Sequence, residues 1–233
     1  MSASSDLYFE QVPVGEMANF AYLIGSRATR ECLVVDPAWC VDALLDQAES
    51  DGMRVTGALV THYHQDHVGG SIFGMQIEGV ARLLERAPIP LHVNAHEAEG
   101  VRKVTGASAS DLVKHEGGDT LALGGLRVRL LHTPGHTPGS QCFLVEEPGA
   151  AGRLVSGDTL FLGSCGRVDL PGGDPEAMYE SLTQKLAKLP DETLLFPGHF
   201  YAAEPSSTIG EQKRRNPYLR AARLEDFLAF MGY

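Results

Sequence analysis

The chain has 233 residues, of which 43% are hydrophobic and 21% are charged, and its formal net charge is −11 at pH 7. This size and composition predict a soluble globular protein with a substantial core, most simply a single domain over residues 1–233. The acidic charge opposes nonspecific binding to nucleic acid or to an anionic membrane, and no apolar run is as long as a membrane span.

The start of the chain and its cysteines both favour a cytoplasmic protein. Residues 1–6 contain neither the basic region nor the apolar core of a secretory signal. The four cysteines show no CxxC spacing, which is typical of thiols that stay reduced. We therefore expect a cytoplasmic location, and an exported enzyme is disfavoured.

Strands and helices alternate in the first part of the chain. Strand patterns occupy residues 7–14, 20–24 and 32–35. Apolar side chains recur at helical spacing over residues 41–49, and a further apolar strand at residues 55–60 ends abruptly in polar residues. This order of elements predicts an α/β protein.

Three histidines and one carboxylate follow that last strand within six positions, as His62, His64, Asp66 and His67. Imidazole and carboxylate are the usual ligands of zinc and of non-haem iron. In an extended segment His62 and His64 point to the same side, so Asp66 and His67 must come from a turn. A Gly-Gly pair at positions 69 and 70 lets the chain pass close beneath them. The loop can therefore offer ligands to two metals, although a solvated His-rich loop is the alternative.

The middle of the chain continues the α/β pattern. Residues 71–79 are interpreted as a polar connection, 78–86 and 97–104 as helices, and 91–94 as a short strand. Three histidines in or after this region have no partner at ligand spacing and are interpreted as structural or surface residues, namely His92, His96 and His115.

The second half repeats the arrangement of the first. Strands are predicted at residues 121–123, 126–131, 141–145, 154–155 and 194–196, with a helix at 175–188 and two short tail helices divided near Pro217. Polar residues again follow the strands: His136 in a turn rich in Pro and Gly, Asp158 just after residue 155, and His199 after a Pro-Gly pair. Two such halves predict two packed sheets with helices outside.

The segment His62-x-His64-x-Asp66-His67 after a strand resembles the signature of the metallo-β-lactamase superfamily. His136, Asp158 and His199 match the remaining metal positions of that family in the same order, whereas His132 is left as a packing or supporting residue. The resemblance implies a four-layer αββα sandwich and two divalent metal ions, zinc or alternatively iron or manganese. It implies one metal on His62, His64 and His136, a second on Asp66, His67 and His199, and Asp158 as the bridge. Asp36 has a counterpart that supports the metal loop, and a simple turn carboxylate is the alternative for it.

The same resemblance implies a hydrolase in which a metal-bridging hydroxide attacks a carbonyl carbon and Asp66 acts as a catalytic residue. Residues 157–161 and 165–167 resemble the glyoxalase II branch, which hydrolyses hydroxyacyl-glutathione thioesters. The closer likeness is to its short bacterial type, because the chain lacks the C-terminal helical substrate domain of longer members. Cys165 is a candidate only through its proximity to this segment, and a small loop residue is the favoured interpretation.

Persulfide dioxygenases resemble this chain in the Gly166-Arg167-x-Asp169 segment and in the tail motif Ser207-Thr208…Arg215-Asn216-Pro217. They hold one iron with residues that match His62, His136 and Asp158. Both branches imply a glutathione-type anionic substrate. We therefore expect four side chains to bind it, Arg167, Tyr201, Lys213 and Arg214, with a solvated surface face as the alternative. A metal-binding module without catalysis, a lactonase or a small-ester hydrolase are further alternatives, and a nuclease is disfavoured by the acidic charge. The sequence gives no prediction of the oligomeric state.

Overall fold

Two six-stranded sheets form the centre of the structure, a computed structural model that describes residues 5–72 and 74–233. The strands are β1 (Leu7–Val14), β2 (Asn19–Ser26), β3 (Glu31–Val35), β4 (Arg54–Leu59), β5 (Gly70–Ile72), β6 (Met75–Ile77), β7 (Leu91–Asn94), β8 (Leu112–His115), β9 (Thr120–Leu123), β10 (Leu126–His132), β11 (Gln141–Glu146), β12 (Arg153–Val155), β13 (Leu160–Phe161), β14 (Ser164–Cys165), β15 (Leu194–Phe196) and β16 (Ser207–Thr208).

The helices are α1 (Val41–Ser50), α2 (Gln65–Val68), α3 (Val80–Arg86), α4 (Ala98–Thr105), α5 (Pro175–Glu180), α6 (Ile209–Arg215), α7 (Pro217–Arg220) and α8 (Leu224–Met231). None of the helices in the described ranges combines the length and the apolar character that crossing a membrane requires.

The first sheet has the strand order β1-β2-β3-β4-β7-β8, and the second has the order β16-β15-β12-β11-β10-β9. In the first sheet, β1 to β3 are antiparallel, whereas β3, β4, β7 and β8 run parallel to one another. Parallel neighbours need a crossover, and α1, α3 and α4 lie in the three crossovers between them. In the second sheet only the pair β12 and β15 is parallel.

Three apolar cores separate four layers. In β2, Tyr22 and Ile24 pack between the two sheets, while Ala21 and Leu23 pack on the opposite face with α1, α3 and α4. This alternation follows from the period of two in a strand. In β11, Phe143 faces the other sheet, and its neighbours pack against the C-terminal helices in the third core. The layers are therefore helix, sheet, sheet and helix, which confirms the expected αββα sandwich.

Local departures from the predicted elements are confined to short segments. Residues 71–79 do not form an irregular connection, because β5 and β6 pair there as a hairpin; Phe73 lies outside the described residues. The sequence predicts a loop over residues 161–169, but β13 and β14 pair as a hairpin at its start. The helix at 175–188 continues past α5 as a π-helical turn and a 3₁₀ turn. Such pieces depend on a few backbone pairs, which leave little periodic signal in the sequence.

The tail contains three helices, not the two that the sequence predicts. The expected division is present, since Asn216 caps α7 by accepting hydrogen bonds from the backbone N–H groups of Tyr218 and Leu219. A second break follows at Ala221, whose backbone leaves the helical conformation. No proline or glycine marks that break, so the apolar spacing across it reads as one continuous helix.

Candidate metal centre

Loops that follow β4, β10, β12 and β15 bring together the seven side chains that the sequence singles out as metal ligands. Their donor atoms form three overlapping groups in which all atoms lie within 4.8 Å of one another: His62, His64 and His136; His62, His67 and Asp158; and Asp66, His67 and His199. The loops of the two sheets are joined directly, because the Gln141 backbone N–H donates to the Thr61 carbonyl at 3.0 Å. The Gln141 side chain also donates to the Val60 carbonyl at 2.8 Å.

The loop after β4 carries four of the ligands, and its backbone changes from extended to helical between them. His64 has extended backbone and is the N-cap of α2, whose first turn then carries Asp66 and His67. Gly69 ends this helix at φ +84°, and a Cβ there would come within 2.7 Å of the Gly79 backbone. The double glycine thus lets the ligand loop pack against the start of α3.

Asp158 lies between the two three-residue sets that the sequence analysis assigns to separate metals. Its Oδ2 atom is 3.6 Å from His136 Nε2 and 3.3 Å from His199 Nε2, and its Oδ1 atom is 3.3 Å from His67 Nε2. The backbone must approach closely here, because a Cβ at Gly198 would stand 2.5 Å from Asp158 Oδ1. The carboxylate is therefore held in the centre of the cluster, within reach of both sets.

Asp36 fixes the orientation of two of the histidines. Its Oδ2 atom lies 2.9 Å from His67 Nδ1 and accepts a hydrogen bond from Thr61 Oγ1 at 2.6 Å. Since that hydroxyl hydrogen is directed to Asp36, Thr61 Oγ1 accepts the N–H of His62 Nδ1 at 2.9 Å. Both imidazoles therefore carry their proton on Nδ1 and direct the Nε2 lone pair into the cluster. Asp36 supports the metal loop and is more than a turn carboxylate.

Two further histidines are oriented in the same way by backbone carbonyls. His136 Nδ1 donates to the Arg167 carbonyl at 2.7 Å, and His199 Nδ1 donates to the Met17 carbonyl at 2.9 Å. A carbonyl oxygen can only accept, so the Nε2 atoms of both rings are unprotonated in the neutral state. The outward hydrogen bonds select the tautomer that a metal requires.

A metal ion fits the unpartnered atoms at the centre of this cluster. His62 Nε2 and Asp158 Oδ1 are buried and have no hydrogen-bond partner among the described residues. Two pairs of ring nitrogens also face each other. His67 Nε2 lies 3.1 Å from His199 Nε2, and His64 Nδ1 lies 3.0 Å from His136 Nε2. Buried acceptors with inward lone pairs are costly unless a cation satisfies them. Imidazole and carboxylate donors of this kind suit a divalent transition metal.

The pKa shifts of the histidines differ between the two ligand sets. Burial, followed by the charges of neighbouring imidazoles, holds the pKa of His62 well below its usual range and lowers that of His64 to about 4. Burial opposes the charged form of His67 and His199 as well, but the adjacent carboxylates raise the pKa of His67 and bring that of His199 to about 9. Protons therefore compete with a metal chiefly at the second set.

The central carboxylates are held in their ionised form. Burial favours neutral Asp66, but His67, His199 and a hydrogen bond from Asn19 outweigh it, and the pKa of Asp66 is strongly lowered. The pKa of Asp158 is also strongly lowered against the effect of burial, by His67 and His199. Asn19 Nδ2 donates to Asp66 Oδ2 at 2.9 Å, which fixes this carboxylate beside the cluster. Both acids are thus ready to bind a cation at neutral pH.

A buried glutamate joins the two loops that supply the first histidine set. Glu97 Oε2 accepts the backbone N–H of Tyr63 at 2.7 Å. Its Oε1 atom accepts the Thr137 hydroxyl at 2.8 Å and the Gly139 backbone N–H at 2.7 Å. Burial raises the pKa of Glu97, whereas these three donors favour its charge. The carboxylate fixes the spacing between the loop of His62 and His64 and the turn that holds His136.

A cavity of about 550 Å³ opens onto the metal centre. Five of the seven candidate ligands line it, namely His64, Asp66, His136, Asp158 and His199. Apolar side chains form much of the remaining wall, among them Phe161 and Leu170. The cluster is therefore accessible from one side, where a substrate can approach Asp66 and Asp158.

The four residues predicted to bind substrate are separated by the structure. Arg167 and Tyr201 line the cavity, and the Tyr201 ring stacks on His199 with the ring centroids 4.6 Å apart. Lys213 does not line it; its Nζ atom donates to the Leu189 carbonyl at 2.8 Å and pairs with Asp191 at 2.7 Å. Arg214 is exposed on α6 and is also absent from the cavity wall. Of the four residues, Arg167 and Tyr201 are therefore placed to meet a substrate in the cavity, whereas Lys213 and Arg214 are not.

The remaining histidines and Cys165 lie outside the metal cluster. His92 Nδ1 and His115 Nε2 are hydrogen-bonded at 2.9 Å, and His132 Nε2 donates to the Pro138 carbonyl at 2.9 Å. The ring of His96 stacks on that of His132. Cys165 Sγ lies 3.8 Å from Met231 Sδ, and burial raises the pKa of its thiol to about 12. A thiol of this kind is a poor nucleophile.

Sequence reasoning missed Asn19 and Glu97 as parts of the site. Asn19 reaches Asp66 through pairing of its own strand region with His199, an isolated antiparallel bridge between distant segments. Glu97 stands before α4 and carries no side-chain cap for it, so its position resembles an ordinary acidic helix start. The residues around Glu97 include the exposed His96 and Glu99, so no local pattern marks this glutamate as buried.

The chain is similar to one protein family and to several known proteins. The family model of the metallo-beta-lactamase superfamily matches residues 14–199. A hydroxyacylglutathione hydrolase of Rhodospirillum rubrum is 37% identical over 213 residues, which cover 89% of this chain and 72% of the relative. The human mitochondrial persulfide dioxygenase ETHE1 is 30% identical over 221 residues, covering 91% of this chain and 76% of the relative. The crystal structure of ETHE1 from Myxococcus xanthus matches with a TM-score of 0.80 at 32% identity, covering 97% of this chain and 90% of that one.

Proposed function

The chain belongs to the metallo-beta-lactamase superfamily, and we propose that it is a binuclear metal-dependent hydrolase that cleaves thioesters of the hydroxyacyl-glutathione type. The observation that carries this proposal is the convergence of seven candidate ligands with Asp158 between the two sets. A mononuclear centre has no need of Asp66, His67 and His199 as a second complete set. The presence of a second ligand set therefore favours two divalent ions. Zinc suits the three-histidine set, which leaves one coordination position open.

When bound, two such ions supply a hydroxide near neutral pH and polarise a substrate carbonyl. Asp66 lines the cavity and is ionised, so it can accept a hydrogen bond from the attacking water and orient it toward the carbonyl carbon. Asn19 holds the Asp66 carboxylate in place for that task. The water oxygen forms a bond to the acyl carbon, the carbon–sulfur bond breaks, and the thiolate leaves and takes up a proton.

Several relatives support a small thioester as the substrate. The Rhodospirillum rubrum relative is named a hydroxyacylglutathione hydrolase, and it is 37% identical. A protein named hydroxyacylglutathione hydrolase GloC from Haemophilus influenzae is 32% identical over 82% of this chain. The site would be used in a reducing compartment such as the cytoplasm, which agrees with the four free cysteine thiols.

A second candidate function is an iron-dependent persulfide dioxygenase that acts on glutathione persulfide. The likeness to ETHE1 of Myxococcus xanthus favours it, because that structure covers 97% of this chain. Its iron would be held by His62, His136 and Asp158, a set of two histidines and one carboxylate. The metal identity, zinc in one case and a single iron in the other, thus distinguishes the two candidates.

Two variants separate these functions experimentally. We expect His136→Ala to abolish activity under either mechanism, because His136 belongs to the first set in both. Asp66→Ala should cost thioester hydrolysis roughly a hundredfold or more in kcat, whereas a dioxygenase that uses His62, His136 and Asp158 should lose much less. Metal content, thiol release and oxygen uptake are measured for both variants. Small and equal losses would contradict the assignment of the site.

A further inference from the structure

The wall of the cavity has a chemistry that differs from a site for a small polar acyl group. Apolar side chains from separate parts of the chain line it: Met17, Ile72, Val104, Phe161, Leu170 and Pro171. With a volume of about 550 Å³ the cavity lies within the range of sites that enclose most of a small-molecule ligand. A lactoyl group has one methyl and one hydroxyl, and it would leave most of this apolar wall in contact with water.

Positive charge on the wall is scarce. In the described part of the chain, the cationic side chains that line the cavity are Lys103 and Arg167. Arg167 is already engaged, since its Nε and Nη2 atoms donate to the two carboxylate oxygens of Asp169 at 2.9 Å and 2.8 Å. Lys103 is exposed on α4. Glutathione brings two carboxylates, so its recognition by charge would depend mainly on one exposed lysine, which contributes little.

We propose that the cavity is an acyl-binding pocket, and that the preferred substrates are thioesters with an apolar acyl chain of medium length. This inference rests on the proposed thioester hydrolysis and changes its preferred acyl group from a small hydroxyacyl group to a longer apolar chain. In this pocket the acyl chain would contact apolar wall residues such as Ile72, Val104 and Leu170, and its carbonyl would reach the ligands that line the same cavity. Affinity then comes from apolar burial, which increases with each methylene removed from water. The thiol half of the substrate contributes less to affinity, because few charged side chains are available to bind it.

The test uses four substrates that combine two acyl groups with two thiols: lactoyl or octanoyl on glutathione or on uncharged N-acetylcysteamine. Zinc-loaded enzyme is assayed for thiol release, and the binding of octanoate and of lactate is measured separately by calorimetry. We expect kcat/KM to be at least about tenfold higher for octanoyl than for lactoyl with either thiol. Octanoate should bind the protein more tightly than lactate by a similar factor.

Leu170→Ser and Ile72→Ser should each lower the ratio of kcat/KM for octanoyl thioesters to kcat/KM for lactoyl thioesters about tenfold. Val113→Ser is the matched control, because Val113 is 39% exposed and lies outside the cavity. Equal values for both acyl groups, or equal losses for both in the two serine variants, would overturn the acyl pocket. Octanoate binding without cleavage of any thioester would retain the pocket and refute the proposed hydrolase, so the two failures are distinct.

Discussion

The Oδ2 atom of Asp36 lies 2.9 Å from Nδ1 of His67, and both residues are buried. The same oxygen accepts the Thr61 hydroxyl, which in turn orients His62. One carboxylate therefore fixes a histidine from each of the two metal sets. The orientation of ligands in both sets therefore depends on shared residues that do not themselves bind a metal.

Replacement of that carboxylate tests this support. In Asp36→Asn one oxygen becomes an NH₂ group, which must face either the Thr61 backbone N–H or the donors of the Thr61 side chain and His67. Asn tolerates the positive φ of 49° at this position, so backbone strain does not explain a loss. We expect metal affinity to fall about 10- to 100-fold, measured by competition with a chelator. Asp42→Asn is the control, since Asp42 forms an exposed ion pair with Arg82; equal affinities for both variants would refute the support role.

The buried carboxylate of Glu97 offers a second test of how the loops are spaced. Glu97→Gln must direct its NH₂ group at a donor, the Tyr63 N–H on one side or those of Thr137 and Gly139 on the other. We expect a loss of about 1–3 kcal/mol in the free energy of unfolding and a lower kcat. Glu99→Gln changes an exposed residue of α4 that pairs with Arg102, and it should alter neither quantity. Urea unfolding and steady-state kinetics measure the two effects. A Glu97→Gln variant with unchanged stability and unchanged kcat would argue against the role of Glu97 in joining the two loops.

The His92–His115 pair predicts how stability responds to acid. Burial, followed by the nearby His115, lowers the pKa of His92 to about 4 in the folded protein. Between about pH 6.5 and pH 4 the unfolded chain therefore binds a proton at His92 that the folded chain does not, and the free energy of unfolding falls as the pH falls. We expect this residue to account for roughly 1 kcal/mol, after allowance for its partial exposure.

The measurement is urea unfolding of metal-free protein at pH 7 and pH 5, for wild type and His92→Gln. The variant should lose less stability on acidification than wild type, because the histidines that do not contact His92 contribute equally to both proteins. An identical pH dependence would show that His92 is protonated at its ordinary pKa.

Metal removal should destabilise the whole fold. A cation bound through the facing Nε2 atoms of His67 and His199, which lie 3.1 Å apart, stabilises the native state and not the unfolded chain. A ligand present at about a thousand times its Kd contributes about 4 kcal/mol, so chelation should lower Tm by roughly 10 °C. Calorimetry with and without chelator measures the change. The chelator should lower the Tm of His136→Ala by less than it lowers the Tm of wild type. A wild-type Tm that is unchanged by the chelator would contradict a metal bound by the native state.

The sequence predicted the larger elements and the candidate ligands because both leave local signals. Strand patterns mark β1 to β4, and the polar residues that follow β4 interrupt an apolar run abruptly. The spacing of His62, His64, Asp66 and His67 is contained in one loop, so a local motif is sufficient to find them. The expectation of helix, sheet, sheet and helix is confirmed by the three cores.

Other features depend on contacts between distant segments, which no local pattern records. Asn19 reaches Asp66 across 47 positions, and Glu97 reaches Thr137 across 40. The placement of Lys213 was set by Asp191, its ion-pair partner in the preceding helix-to-strand connection, and a basic run alone could not distinguish that role from substrate binding. The substrate-facing wall was the least predictable part, because apolar residues such as Leu170 are used equally for packing.

Anaerobic cleavage of a thioester tests the central claim most directly, since hydrolysis consumes no dioxygen and persulfide oxidation requires it. Protein loaded with zinc is given S-lactoylglutathione and octanoylglutathione in the absence of oxygen, and the released thiol is measured against the His136→Ala variant. The account predicts thiol release from wild type at an unchanged rate when air is admitted, and almost none from the variant. Protein that leaves both thioesters intact, holds one iron and takes up oxygen only with glutathione persulfide would contradict it.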